Sequence, residues 1–287
     1  MILIADSGST KCDWLLLQGQ QTILECSTMG FNPYFHDHAL ITGELGKHAA
    51  LTQYAAEVCF IYFYGAGCSS DELNAIVQGA LQEVFPHAEV HVGHDLDGAA
   101  LATHQAGTTH IACILGTGSN SCYFDGQQVH EEIPALAYIL GDEGSGSYYG
   151  KRMLADFLYK RMPEHLAASF FETYQLTKDI VMEHVYMRPN ANVYLASFMN
   201  FCSRHREDPY VHTLVRGGCL EFLKTHVLCF KNCREVPVNF VGSVAFHFQD
   251  ILQECAAELG LKIGRVVKKP IHGLVEYHLK YTFSGVI

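Results

Sequence analysis

Apolar residues open the chain in short runs separated by polar turns. Ile2-Leu3-Ile4-Ala5, Asp13-Trp14-Leu15-Leu16-Leu17 and the stretch 22–27 read as three strands, with the polar turn Gln18-Gly19-Gln20-Gln21 between the second and third. This pattern predicts an antiparallel meander. After Pro33 a weaker helical period covers 37–51, and 58–64 is a continuous apolar run of the kind found in a strand buried on both faces. Leu73, Ile76, Val77, Ala80, Leu81 and Val84 recur at spacings of three and four, which predicts a helix capped by Ser69 or Ser70 and stopped by Pro86. A short strand over 89–92 and an alanine-rich helix over 97–105 follow.

At Ile111 the pattern restarts. The run 111–115 is strand-like, Gly116-Thr117-Gly118-Ser119 is a turn of small residues, and Cys122-Tyr123-Phe124 is a second strand that ends at Asp125-Gly126. Two related lobes are therefore expected, 1–106 and 107–287, with a hinge near 106–109. The stretch 148–228 reads as helical without a strand. A last strand over 238–241 runs through Gly242-Ser243 into a helix with Val244, Phe248, Ile251, Leu252, Cys255 and Leu259 on its apolar side.

Composition narrows the function. Of 287 residues 49% are hydrophobic and 17% charged, enough for a large core. Nineteen Lys and Arg against 30 Asp and Glu give a net charge of −11, which opposes binding to nucleic acid or to an anionic membrane. No apolar run approaches the roughly 20 residues of a membrane helix, and the start lacks the pattern of a secretory signal, so a soluble cytoplasmic protein is expected. The 11 cysteines form no CxxC pair and sit mostly inside apolar runs, as small buried hydrophobes do. His36, His38, His91 and His94 have no second ligand pair at metal-site spacing.

The chemistry lies in the turns. Backbone N–H groups in a concave turn of small residues hold a phosphate chain without basic side chains. Asp6-Ser7-Gly8-Ser9-Thr10-Lys11 and Gly116-Thr117-Gly118-Ser119 are two such turns, each at the end of a buried strand. Asp6 adds a carboxylate able to hold Mg²⁺ beside the phosphates. Either turn alone is as well explained by hairpin geometry; two in matching positions point to a nucleotide.

These two turns and Val241-Gly242-Ser243-Val244 resemble the phosphate-1, phosphate-2 and adenosine motifs of the actin, sugar kinase and heat-shock chaperone superfamily. Leu140-Gly141-Asp142-Glu143-Gly144-Ser145-Gly146 is more specific and resembles the BadF/BadG-type ATPase and N-acetylglucosamine kinase family, the match running over about 1–273. The resemblance implies an α/β fold of two RNase H-like (actin-like ATPase) lobes with an interlobe nucleotide cleft, the second lobe carrying a helical insertion. It implies ATP and Mg²⁺ as cofactors, an amino sugar as partner, and allows a homodimer. It places Asp6 at the metal, Gly8, Ser9, Thr10, Lys11, Gly116, Thr117 and Gly118 at the phosphates, and Gly242 and Ser243 at the adenosine. Asp95 matches the catalytic base, with Asp97 as its rival, and Asn32, Asp95, Ser119, Asn120 and Asp142 match the sugar contacts. Cys12 stands where a threonine is common, and the glycine-rich stretch after the adenosine motif is reduced to Pro270-Ile271-His272-Gly273-Leu274.

The expected activity is ATP-dependent phosphorylation of the 6-hydroxyl of an amino sugar, N-acetylglucosamine foremost. Two alternatives share the fold. One is an iron–sulfur ATPase that activates a radical dehydratase; Cys113 and Cys122 flank the second turn, but Ile114 and Leu115 occupy the place of that family's cysteine. The other is a sugar sensor without turnover.

Overall fold

The structure, a computed structural model, describes residues 1–283. The chain forms two compact units, Met1–Thr108 joined by the segment from Lys269 onward, and Thr109–Lys268.

The first unit is built on β1 (Ile2–Ser7), β2 (Lys11–Gln18), β3 (Gln21–Met29), β4 (Phe60–Gly65) and β5 (Glu89–His94), in the order β3-β2-β1-β4-β5. β1, β2 and β3 form the antiparallel meander, whereas β4 runs parallel to β1 and β5 parallel to β4. The unbroken apolar run of β1 is explained by burial on both faces. Leu3 and Ala5 join Trp14, Phe31, Phe63, Val77 and Leu81 in one core, while Ile2 and Ile4 join Leu15, Leu17, Tyr64, Ala102, Ile271 and Leu274 in another. Period-two alternation then puts Asp6 on the face of Ile4. Helix Asp71–Val84 starts where Ser70 Oγ accepts from Leu73 N at 3.3 Å, so of the two expected caps Ser70 is the one used.

The second unit repeats this plan. Strands β6 (His110–Leu115), β7 (Ser119–Phe124), β8 (Val129–His130), β9 (Pro237–Val241) and β10 (Lys262–Val267) stand in the order β10-β9-β6-β7-β8, with β6, β7 and β8 antiparallel and β9 and β10 parallel to β6 and β9. Between β8 and β9 lies the expected helical stretch, whose longer helices are Gly146–Leu158, Glu164–Tyr174 and Pro209–Phe222. Their apolar faces meet Ile111, Cys113, Leu115 and Phe240 around Phe170, Phe198, Phe201 and Phe222.

Several features differ from expectation: the two-residue β8 is unforeseen, and the helix expected after Gly242 is broken at Phe248 into Ser243–His247 and Gln249–Glu258. Strand β10 is not foreshadowed in the sequence, because Gly264 and Arg265 interrupt its alternation; it is an edge strand with a register shift between Ile263 and Val266, and Asn239 Oδ1 accepts from Arg265 N at 2.8 Å. The tail from Lys269 groups with the first unit, whereas the sequence pattern places all of 107–287 in one lobe. Helix Ile271–Tyr277 buries Ile271 and Leu274, and a Cβ at Gly273 would run into the Ala102 carbonyl oxygen. Gly273 thus serves a helix crossing in the first unit.

Candidate active site

In the first unit β1 and β2 are joined by a hairpin in which Gly8 N donates to Lys11 O at 3.0 Å, leaving Ser9 and Thr10 as the loop. The segment after β3 is pressed onto this turn. A Cβ at Gly30 would drive into the Gly8 carbonyl oxygen and come within 2.8 Å of Lys11 N, so only glycine permits the approach. Ser7 fastens the two, its Oγ accepting from Phe31 N at 2.8 Å and donating to Phe31 O at 3.2 Å. Cys12 points into the core and is fully buried, so the thiol that replaces a threonine faces away from the turn.

Acidic groups gather around the turn. Asp6 and Asp13 are register partners across β1 and β2. Burial first, then the charges of Asp95 and Asp13, lift the Asp6 carboxyl to about 7, while Lys269 pulls the other way. Asp13 is held low: burial works to raise it, but hydrogen bonds from Lys11 and Ser27 and the charges of Lys11 and Lys269 prevail. The distances are 2.6 Å to Lys11 Nζ, 2.7 Å to Ser27 Oγ and 3.6 Å to Lys269 Nζ. Lys11, expected at the phosphates, is therefore paired with a carboxylate of its own strand.

Asp95 and Asp97 separate by role. Asp97 Oδ2 accepts from His94 N at 3.0 Å, reaching back over the first turn of helix Asp95–Thr103. Asp95 meets backbone N–H groups too, its own and that of Leu96. Its Oδ1 is buried without a hydrogen bond of good geometry, although His94 Nε2 lies 3.2 Å away. Burial raises the Asp95 pKa in spite of the nearby His94. Asn32 is buried, its Oδ1 accepting from Tyr34 N at 3.0 Å, which is the bond of an Asn-Pro turn.

In the second unit the turn Gly116-Thr117-Gly118 is charge-free and is gripped by the Gly-Asp-Glu-Gly-Ser-Gly segment. Gly146 N donates to Gly116 O at 2.8 Å and Ser147 N to Thr117 O at 3.0 Å, so the start of helix Gly146–Leu158 docks on the turn. Asp142, left-handed at φ 58°, sends Oδ1 to accept from Ser119 N at 3.1 Å and Oδ2 to accept from Ser147 Oγ at 3.4 Å. Burial raises its pKa, and the hydrogen bonds from Ser119 and Ser147 work against the rise. Ser119 Oγ is buried without a hydrogen-bond partner, and Asn120 Oδ1 accepts from Ser121 N at 2.8 Å. Gly242, at φ 116°, closes the group: a Cβ there would strike the Leu115 carbonyl oxygen, and Ser243 follows as the exposed start of helix Ser243–His247.

Each unit thus gathers its own share of the expected residues. Asp6, Gly8, Ser9, Thr10, Lys11 and Asp95 lie in the first, with Asn32 on the loop that packs against its turn. Gly116, Thr117, Gly118, Ser119, Asn120, Asp142, Gly242 and Ser243 lie in the second. Sequence reasoning missed Asp13, Lys269, Gly30 and His226. Asp13 had a readable signal, an acid at the head of an apolar strand; the other three matter only through tertiary neighbours. Cys113 and Cys122 are fully buried inside the second sheet, which leaves no thiolate for a cluster at that turn.

Comparison with protein-family models gave no match, and neither did comparison with curated proteins. Solved structures did. A proposed N-acetylglucosamine kinase from Porphyromonas gingivalis is 38% identical over 98% of this chain and 100% of its own, with a TM-score of 0.93. A second proposed N-acetylglucosamine kinase, from Chromobacterium violaceum, is 19% identical over 96% of this chain and 98% of its own, with a TM-score of 0.71. A ROK family glucokinase from Streptomyces griseus, solved with glucose and AMPPNP, shares the fold at 13% identity, over 96% of this chain and 97% of its own, with a TM-score of 0.55. At the identity and coverage of the first of these, and with two sheets of one topology, the chain belongs to the family of the Porphyromonas gingivalis protein, among the sugar kinases of the actin-like ATPase fold.

Proposed function

We propose that the protein transfers the γ-phosphoryl group of ATP to the 6-hydroxyl of an amino sugar, N-acetylglucosamine foremost, within the branch typified by the BadF/BadG-type ATPases. The observation that carries this reading is the pairing of Asp95 with Asp6. Of the two candidate bases Asp97 is engaged with His94 N, whereas Asp95 keeps a buried Oδ1 without a hydrogen-bond partner, and it is near enough to Asp6 for its charge to raise that carboxyl.

In this reading the turn at Gly8, Ser9, Thr10 and Lys11 and the turn at Gly116, Thr117 and Gly118 cradle the phosphates by backbone N–H groups, and Gly242 and Ser243 face the adenosine. Asn32, Ser119, Asn120 and Asp142 hold sugar hydroxyls. Asp95 accepts the proton of the 6-hydroxyl as that oxygen bonds to the γ-phosphorus and the bond to the β-phosphate oxygen breaks, releasing ADP. A base whose pKa is raised by burial suits this task at neutral pH.

Among the described residues no cluster of three or more His, Cys, Asp or Glu forms a metal cage. Mg²⁺ needs no such cage, since it binds through one or two carboxylates together with phosphate oxygens and water. Asp6 fits such an ion, because a carboxyl pushed up by burial and by neighbouring acids gains from a dication. When bound, the ion supplies charge neutralisation at the phosphates.

The test is ADP release in Mg²⁺ and ATP with N-acetylglucosamine, glucosamine, N-acetylmuramate and glucose, with the product identified by NMR. Stimulation by N-acetylglucosamine and a 6-phosphate product are expected. ATP binding without sugar-dependent release from any of the four would favour the sensor instead.

A further inference from the structure

The residue next to Asp142 makes a contact that none of the assigned roles explains. Glu143 Oε2 lies 3.0 Å from Nε2 of His226, whose side chain is 4% exposed. A carboxylate can only accept here, so Nε2 carries the proton and donates. His226 sits in a single π-helical turn, Leu223–Val227, at the end of helix Pro209–Phe222. Such turns cost hydrogen-bond geometry and concentrate at functional sites. The ring is stacked on Phe222 at 4.9 Å between centroids and 19° between planes, which fixes its direction. The His226 carbonyl in turn accepts from Ser121 Oγ at 2.7 Å, and Ser121 follows Ser119 and Asn120 on β7. One buried histidine therefore ties the strand that carries two candidate sugar contacts to the segment that carries the third.

The third contact needs such a tie. Asp142 is an L-residue held at φ 58°, a conformation that costs free energy and persists only where its surroundings impose it. Its neighbour on the amino side, Gly141, offers no side chain as an anchor. On the carboxyl side Glu143 is anchored by His226 alone among the ion pairs of the described residues.

We infer that the Glu143–His226 pair is a positioning device for Asp142, setting the reach of that carboxylate toward the sugar without touching the nucleotide. This rests on the sugar-binding role proposed for Asp142, and the experiment keeps the two claims apart. His226→Phe preserves the volume and the stack on Phe222 but removes the donor to Glu143. It is expected to raise the sugar KM on the order of tenfold, the worth of one hydrogen bond to a charged group, with the KM for ATP and the melting temperature near those of the parent. His226→Gln, whose amide can still donate to Glu143, is expected to recover most of the sugar KM. An unchanged sugar KM in His226→Phe, or losses shared equally between sugar and ATP, would overturn the inference. A crystal structure of His226→Phe reads the coupling without turnover: Asp142 is expected to leave Ser119 N or Ser147 Oγ. An undisturbed Asp142 overturns the inference even if the kinase is active. A displaced Asp142 in a protein that phosphorylates no sugar upholds the coupling and removes the proposed function.

Discussion

The first hairpins of the two units occupy the same place in the same sheet topology, yet they are surrounded by opposite chemistry. The turn at Gly8 is ringed by Asp6, Asp13 and Asp95 with Lys11 and Lys269. The turn at Gly116 has no such ring; it is clasped by Asp142, by the start of a helix and by Gly242. A shared fold accounts for the shared hairpin, since an antiparallel pair at a sheet centre must turn within a few residues. It does not account for the charges. In the proposed function this difference is a division of labour, the first unit managing charge and proton and the second shape and hydroxyl contacts.

The sharpest way to break this division is at Asp95. Asp95→Asn is expected to lower the rate of sugar phosphorylation by about 10²–10⁴-fold while ATP affinity measured by calorimetry stays within a few fold of the parent. Asp97→Asn should instead cost about 1 kcal/mol of stability through the weakened helix start, with the rate largely kept. Equal rate losses in the two variants would mean that neither acid is singled out.

The second expectation concerns the glycines. Gly242 has φ 116° and no room for a Cβ, so Gly242→Ala should destabilise by about 2–4 kcal/mol in denaturant unfolding. At Gly8 a Cβ would meet only Lys11 O, at 3.8 Å, so Gly8→Ala should stay within about 1 kcal/mol of the parent. Its effect should show as about tenfold weaker ATP binding, because a methyl group obstructs the approach of phosphate. Comparable destabilisation by both substitutions would remove the contrast.

The smallest effect is a pH signature confined to the first unit. Asp6 has a folded-state value of about 7 against an ordinary 3.8, so between these the folded protein holds a proton that the unfolded chain releases. Stability should therefore fall as pH rises from about 4 to 7 and level off above. Asp6→Asn should flatten that fall and be the more stable protein at pH 8, by on the order of 1 kcal/mol, while losing activity. Identical pH profiles for parent and variant in unfolding melts would place the strained carboxyl elsewhere. Added Mg²⁺ should flatten the parent's profile in the same sense.

Much of the fold was legible because its strands are buried on both faces and its turns are glycine-rich; β1, β2, β4, β6 and β9 all announce themselves as apolar runs. β10 did not, since an edge strand tolerates Gly264 and Arg265 and has little need of alternation. The site divides in the same way. Asp6, Asp95 and Asp142 could be named because each stands in a local pattern with a loop or helix start, whereas Asp13, Lys269 and His226 take part through partners distant in the chain.

By itself the sequence determined the two-fold repetition, the two small-residue turns and the set of carboxylates, because hydrophobic period and turn chemistry are local properties. Tertiary structure joined the tail from Lys269 to the first unit, and paired Glu143 with His226. Those outcomes depend on which buried polar atom finds a partner, and a partner 83 residues away along the chain leaves no trace in a local pattern.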